Sequence, residues 1–178
     1  MKNNELHYQE PNPNIIQEFI DLQEIYPPIH TPTTDFDTVK AWLKIIKIQG
    51  FSQKTMQEVL IYIYKLFKKN KHEEAILLLL VCAATKDDQA NYLLARELFK
   101  GRNFCTNYPA SFGIFSMLSE KGHYEALCDL AHFYKNGITI KQNKKQAKKL
   151  YKIAMDAGIV RAKKNYHLLN KHPFNVFT

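Results

Sequence analysis

A few groupings in this 178-residue chain carry side chains that could do chemistry. His123 and Glu125 flank Tyr124. In zinc deaminases that spacing joins a metal ligand to an acid–base carboxylate, but the chemistry also needs a Pro-Cys-x-x-Cys segment, which is absent here. A histidine and a glutamate at a helix start are the simpler reading. Cys128 and His132 stand four apart, on one helix face. Two ligands do not make a zinc site, which takes four, or three plus water. The cysteines, Cys82, Cys105 and Cys128, are scattered and form no Cys-x-x-Cys pair, against a disulfide framework or a structural zinc. Cys82 and Cys128 read as small buried hydrophobes, whereas Cys105 falls in a loop. Glu73-Glu74 and Asp87-Asp88 sit at helix starts, where carboxylates complement the helix dipole. No Gly-x-Ser-x-Gly, Walker or Gly-x-Gly-x-x-Gly motif occurs. The expectation is a protein without catalytic residues, metal or cofactor.

The elements that carry these residues follow from composition and spacing. The length suits one ordinary domain. Hydrophobic residues make up 46% and charged residues 24%, which excludes disorder as the main state. The longest apolar run, Ala75 to Ala84, is about half of a membrane span and reads as a buried helix. The first ten residues, MKNNELHYQE, lack the apolar core of a secretory signal. A cytoplasmic protein is expected. Net charge is +8, unevenly placed: −6 over residues 1–37, +4 over 38–134 and +10 over 135–178. The basic end could attract an acidic partner or be a solvated helix face.

A period of thirty-six residues runs through residues 39–162 without a gap. Gly158 steps back to Gly122, Lys86 and Gly50. Ala162 steps back to Ala126, Ala90 and Lys54, and Tyr151 to Phe115, Leu79 and Leu43. Ala154 maps to Leu118, Cys82 and Ile46, and Gly137 to Gly101. Within one period, Ala147, Tyr151, Ala154 and Gly158 form a single helical stripe closed by glycine, and Ala126, Leu130 and Tyr134 form another. Each repeat is thus an A helix followed by a B helix. Small residues let backbones approach, and large ones fill the gaps between pairs.

The predicted helices are 13–25, 37–49, 53–69, 72–85, 89–100, 109–121, 124–136, 144–157 and 159–170. Ser52, Asp87 or Asp88, Asn107 and Asn143 are placed to cap helices, as is Asp35 or Asp37. Lys86 replaces glycine at one turn, so strain or a different junction is expected there. Three prolines in residues 27–34 suggest an extended linker. Residues 1–34 would hold a helix and this linker, and 35–178 the repeat array. Ile15, Ile16, Phe19, Ile20 and Leu22 make the first helix amphipathic, suited to cover an open end of the stack or to fold back on the basic end.

The segment 126–158 resembles the Sel-one-like repeat, a relative of the tetratricopeptide repeat. Ala126, Leu130, Tyr134, Gly137, Ala147, Tyr151, Ala154 and Gly158 fit its pattern; Ala131 stands where the family prefers Gly. Residues 90–122 are a second copy, and 54–86 a degenerate one lacking glycine at Lys65 and Lys86. The resemblance covers about three-quarters of the chain. It implies an all-α fold, a right-handed α-solenoid of stacked antiparallel helix pairs with a 36-residue period.

It also implies an adaptor or scaffold that holds a protein partner in a concave groove lined by A helices. Outside the packing stripe, Tyr92, Arg96, Asp129, His132 and Phe133 are the candidate groove residues, with Arg96 and His132 one repeat apart. Arg, Tyr, Phe and His are common interface anchors. The B helices line the convex side. There Lys141, Lys144, Lys145, Lys148, Lys149 and Lys152, with Lys163 and Lys164 beyond, form a basic surface. The partner is expected to be an acidic protein, with a cognate bacterial toxin neutralised by an immunity protein as one case and a regulatory target as another. The competing reading is nucleic acid or an anionic membrane bound through residues 141–164. The ridge holds no exposed aromatic and Lys alone supports only phosphate contact, which disfavours specific nucleic-acid recognition.

Overall fold

The computed structural model describes residues 14–30 and 35–171. These fold as α1 (Ile15–Ile25), α2 (Asp37–Gln49), α3 (Gln53–Lys68), α4 (His72–Ala84), α5 (Asp88–Lys100), α6 (Tyr108–Glu120), α7 (Tyr124–Asn136), α8 (Lys144–Asp156) and α9 (Val160–Lys171). No strand occurs among the described residues; Pro28 and Phe104 form an isolated antiparallel bridge. The all-helical pairing expected from the period is present, with α3, α5, α7 and α9 as A helices and α2, α4, α6 and α8 as B helices.

The repeat positions are the packing positions. Ala75, Ala90, Ser111, Ala126, Ala147 and Ala162 are fully buried, as are Cys82, Leu118 and Ala154. Leu79, Phe115 and Tyr151 are closed off between helices. A recurring small residue lets two helices approach, and the large one a turn later fills the space beside it.

Two compact units divide the chain, one ending at Thr106 and the other starting at Asn107. In the first, α4 packs against α1, α2, α3 and α5. Every residue from Glu74 to Ala84 is buried, so this helix needs apolar side chains all round. That accounts for the uninterrupted run in the sequence. α1 lays Ile15 and Phe19 onto this core. The helix before the linker is therefore part of the first unit's packing, and no compact division falls between residues 34 and 35. Of the proline-rich stretch, Ile29 donates its N–H to the Asn103 carbonyl at 2.9 Å beside the buried Phe104; residues 31–34 lie outside the described residues. In the second unit, α6, α7, α8 and α9 pack in sequence order, each on the next.

Among the described residues, five helices are capped by a side chain. Ser52, Asp87, Asn107 and Asn143 accept from the backbone N–H of Thr55, Ala90, Ala110 and Gln146 at 2.8–3.1 Å. The fifth cap is His123, whose Nδ1 accepts from Ala126 at 3.2 Å. Neither Asp35 nor Asp37 caps α2. Asp35 is ion-paired with Lys40 instead, and Asp37 is the first helical residue.

The degenerate repeat shows what its missing glycine does. α5 and α7 end at Gly101 and Gly137, both left-handed with φ of +64° and +71°. At the equivalent Lys65 nothing stops the helix. α3 runs another turn to Lys68, and Asn70 makes the turn at φ +57°. Asn tolerates the left-handed region better than most residues.

Candidate interaction surface

In the first unit, α5 carries two of the sequence-predicted groove residues. Tyr92 is buried, 4% exposed, and is a packing residue rather than an exposed anchor. Arg96 is half-buried, with its guanidinium carbon 5.8 Å from the Tyr92 ring centroid. On α3, the exposed Tyr64 interacts with the Arg96 charge and bonds Gln89. Burial raises the Tyr64 pKa, while Arg96 and Gln89 pull it down. Neither Tyr64 nor Gln89 stood out in sequence, because their pairing with Arg96 joins α3 to α5. The adjacent Glu97 is buried and accepts from Lys100 at 2.7 Å and from Asn103 at 2.8 Å.

In the second unit, α7 carries the other three. Phe133 is 1% exposed and packs at a tilt against Phe112 and edge-on against Phe115, with ring centroids 5.6 and 6.1 Å away. Its expected groove role thus gives way to packing, as for Tyr92; an i, i+4 pattern cannot tell a groove face from a second buried face. Asp129 is held by Arg161 of α9. One guanidinium nitrogen bonds Asp129 Oδ1, and the other lies 2.9 Å from Oδ2 and 2.7 Å from the Glu125 carbonyl. Arg161 was not singled out from sequence, although it stands one period after Glu125. His132 is half-buried and contacts the Asn136 amide. Desolvation first, then Lys135, hold its pKa below the usual histidine value. The proposed groove set is thus divided into a half-buried arginine, an ion-paired aspartate, a neutral-leaning histidine and two core aromatics.

The basic residues lie on the surface. Lys141, Lys144, Lys145, Lys148, Lys149, Lys152, Lys163 and Lys164 are all exposed. α8 buries Ala147, Leu150, Tyr151 and Ala154 on its other side, and this amphipathic split is what presents the lysines. Lys152 bonds both Asp156 carboxylate oxygens at 2.8 Å, and Lys148 lies 5.8 Å from the Tyr166 ring centroid.

The residues that first suggested chemistry have structural places. His123 caps α7, with Glu125 3.6 Å from the same nitrogen. Cys82 and Cys128 are buried and Cys105 is exposed. Burial pushes the Cys128 thiol up to about 11, and the Cys82 thiol higher still. Among the described residues, no cluster of three or more His, Cys, Asp or Glu could hold a metal. No helix among them is long and apolar enough to cross a membrane.

The backbone is similar to the crystal structure of a Sel1 repeat protein from Oxalobacter formigenes, with a TM-score of 0.55 over 74% of this chain and 98% of that one. The fold is a Sel1-like helical repeat. Sequence identity is 18%, so the likeness is one of fold. No protein-family model matches the sequence, and no curated protein matches it significantly. In Sel1-like terms, the stripe that recurs from repeat to repeat here is packing.

Proposed function

We propose that this chain is a non-catalytic protein-interaction module, an adaptor that holds one protein partner through exposed side chains of its A helices. The observation that carries this reading is the helical repeat fold itself. Its recurring residues are spent on packing, which leaves the variable positions free to form a binding surface. The +10 charge over residues 135–178 fits a partner with an acidic face, met by electrostatic steering that weakens in salt. A cognate bacterial toxin neutralised by this chain as an immunity protein is one such partner; a regulated cytoplasmic protein is another. Three unpaired cysteines fit a reducing compartment.

A second reading has its own support. The exposed lysines between 141 and 164 suit phosphate contact, so nucleic acid or an anionic membrane could be the ligand of that face.

Affinity capture from lysate of the source organism, with nuclease treatment and at two salt concentrations, separates the two. One protein retained after nuclease at moderate salt supports the adaptor. Nucleic acid or lipid retained at low salt only, and lost in Lys144→Glu/Lys145→Glu/Lys148→Glu, supports the basic-face reading. Retention of neither overturns both.

A further inference from the structure

Arg96 is half-buried in the first unit, yet no carboxylate among the described residues accepts from it. The neighbouring Glu97 is committed to Lys100 and Asn103. The same chain shows what a satisfied arginine looks like: Arg161 spends its planar fork on both oxygens of Asp129 and on a carbonyl. Arg96 instead lies against the buried Tyr92 ring. The Tyr64 phenol, itself bonded to Gln89, stands near its charge. Stacking on an aromatic ring restricts a guanidinium before any ligand arrives, so less entropy is lost when its N–H fork is used.

The surroundings narrow the ligand. On α3, Ile61 lies one turn before Tyr64, and the two are 55% and 47% exposed, which gives a largely apolar strip on the helix that carries Tyr64. Lys65 and Lys68 follow on the same helix and are exposed, which adds positive charge and disfavours a basic ligand. We infer that Arg96, Tyr64 and Ile61 form a docking point for an acidic segment of a partner protein, in which an Asp or Glu side chain takes the Arg96 fork and a neighbouring apolar side chain lies on Ile61 and Tyr64. A carboxylate matches the guanidinium in shape and charge, forming two parallel charge-assisted hydrogen bonds. The inference rests on the protein-interaction reading and names the contact within it.

The test uses a phage-displayed heptapeptide library panned against the full chain, followed by affinity measurement with a synthetic peptide of the leading sequence. Wild type should enrich peptides with Asp or Glu next to an aliphatic or aromatic residue. Arg96→Ala should bind the synthetic peptide roughly 10- to 100-fold more weakly, the range for losing a charge-assisted bond. Arg96→Lys should recover only part of this loss, because an ammonium lacks the fork. If Arg96→Ala loses its helical circular dichroism, the wild-type and Arg96→Lys comparison decides, since lysine keeps the stem and the charge. Enriched peptides without an acid, or acidic peptides that bind every Arg96 variant as well as wild type, overturn the inference and leave the interaction reading standing. No enrichment by wild type overturns both.

Discussion

Lys86 Nζ lies 2.5 Å from Glu18 Oε2, which ties the turn after α4 to α1. Lys86 occupies the place that glycine holds at Gly122 and Gly158, and it takes a left-handed φ of +64°. A non-glycine residue there costs about 1 kcal/mol. The ion pair offsets little of that, because the Lys86 side chain is 62% exposed and surface pairs contribute about 0–1 kcal/mol. Lys86→Gly should therefore raise stability by up to about 0.5–1 kcal/mol in urea unfolding. Glu18→Gln should change it by less than about 0.5 kcal/mol. A clear loss for Lys86→Gly would show that the pair outweighs the strain.

Tyr151 is fully buried, and its hydroxyl has no hydrogen-bond partner among the described residues. Burial also raises its pKa, because the phenolate is desolvated. A buried polar atom without a partner costs about 1–3 kcal/mol. Tyr151→Phe keeps the ring that fills the gap between helices and removes that atom. It should be neutral or stabilising by up to about 1 kcal/mol, whereas Tyr151→Ala should cost about 3–5 kcal/mol through the cavity it leaves. Denaturant melts of both variants check this.

Desolvation, and then Lys135, lower the pKa of His132. Its folded pKa lies below the unfolded value of about 6.5, so the unfolded chain takes up the proton first as pH falls. The stability due to this residue is present above about pH 6.5 and declines below it, until the folded state is protonated as well. His132→Gln should flatten the fall in melting temperature between pH 7.5 and 5. An unchanged slope would assign the acid sensitivity elsewhere.

The cysteines should differ sharply in reactivity. Cys105 is exposed, whereas Cys82 and Cys128 are buried and their thiolates are disfavoured. A thiol reagent at pH 8 should label Cys105 in the native protein and reach the other two only in denaturant. Peptide mapping by mass spectrometry reads this directly. Rapid native labelling of Cys128 would show that α7 opens readily.

The caps Ser52, Asn107 and Asn143, and the pair Asp87 or Asp88 of which Asp87 is the cap, were legible because capping is a local rule with a short list of side chains. His123 was missed as a cap, since imidazole is not on that list and its Nδ1 can accept only when unprotonated. The lysine face of α8 was legible for a similar reason: Ala147, Leu150, Tyr151 and Ala154 leave one side for the lysines. Tyr92 and Phe133 were misplaced because both lie beside the packing stripe, where a second neighbouring surface buries them.

The sequence by itself determined the period, the helix pairs and the residues at their closest contacts. Those depend on spacing along one helix and on glycine at its end, which are short-range properties. Only the tertiary structure decided that α1 lies on α4, that Arg161 takes the Asp129 carboxylate, and that Tyr64 joins Tyr92 at Arg96. Each of these joins residues about 30 or more positions apart, and the geometry that brings them together exists only once the helices have packed.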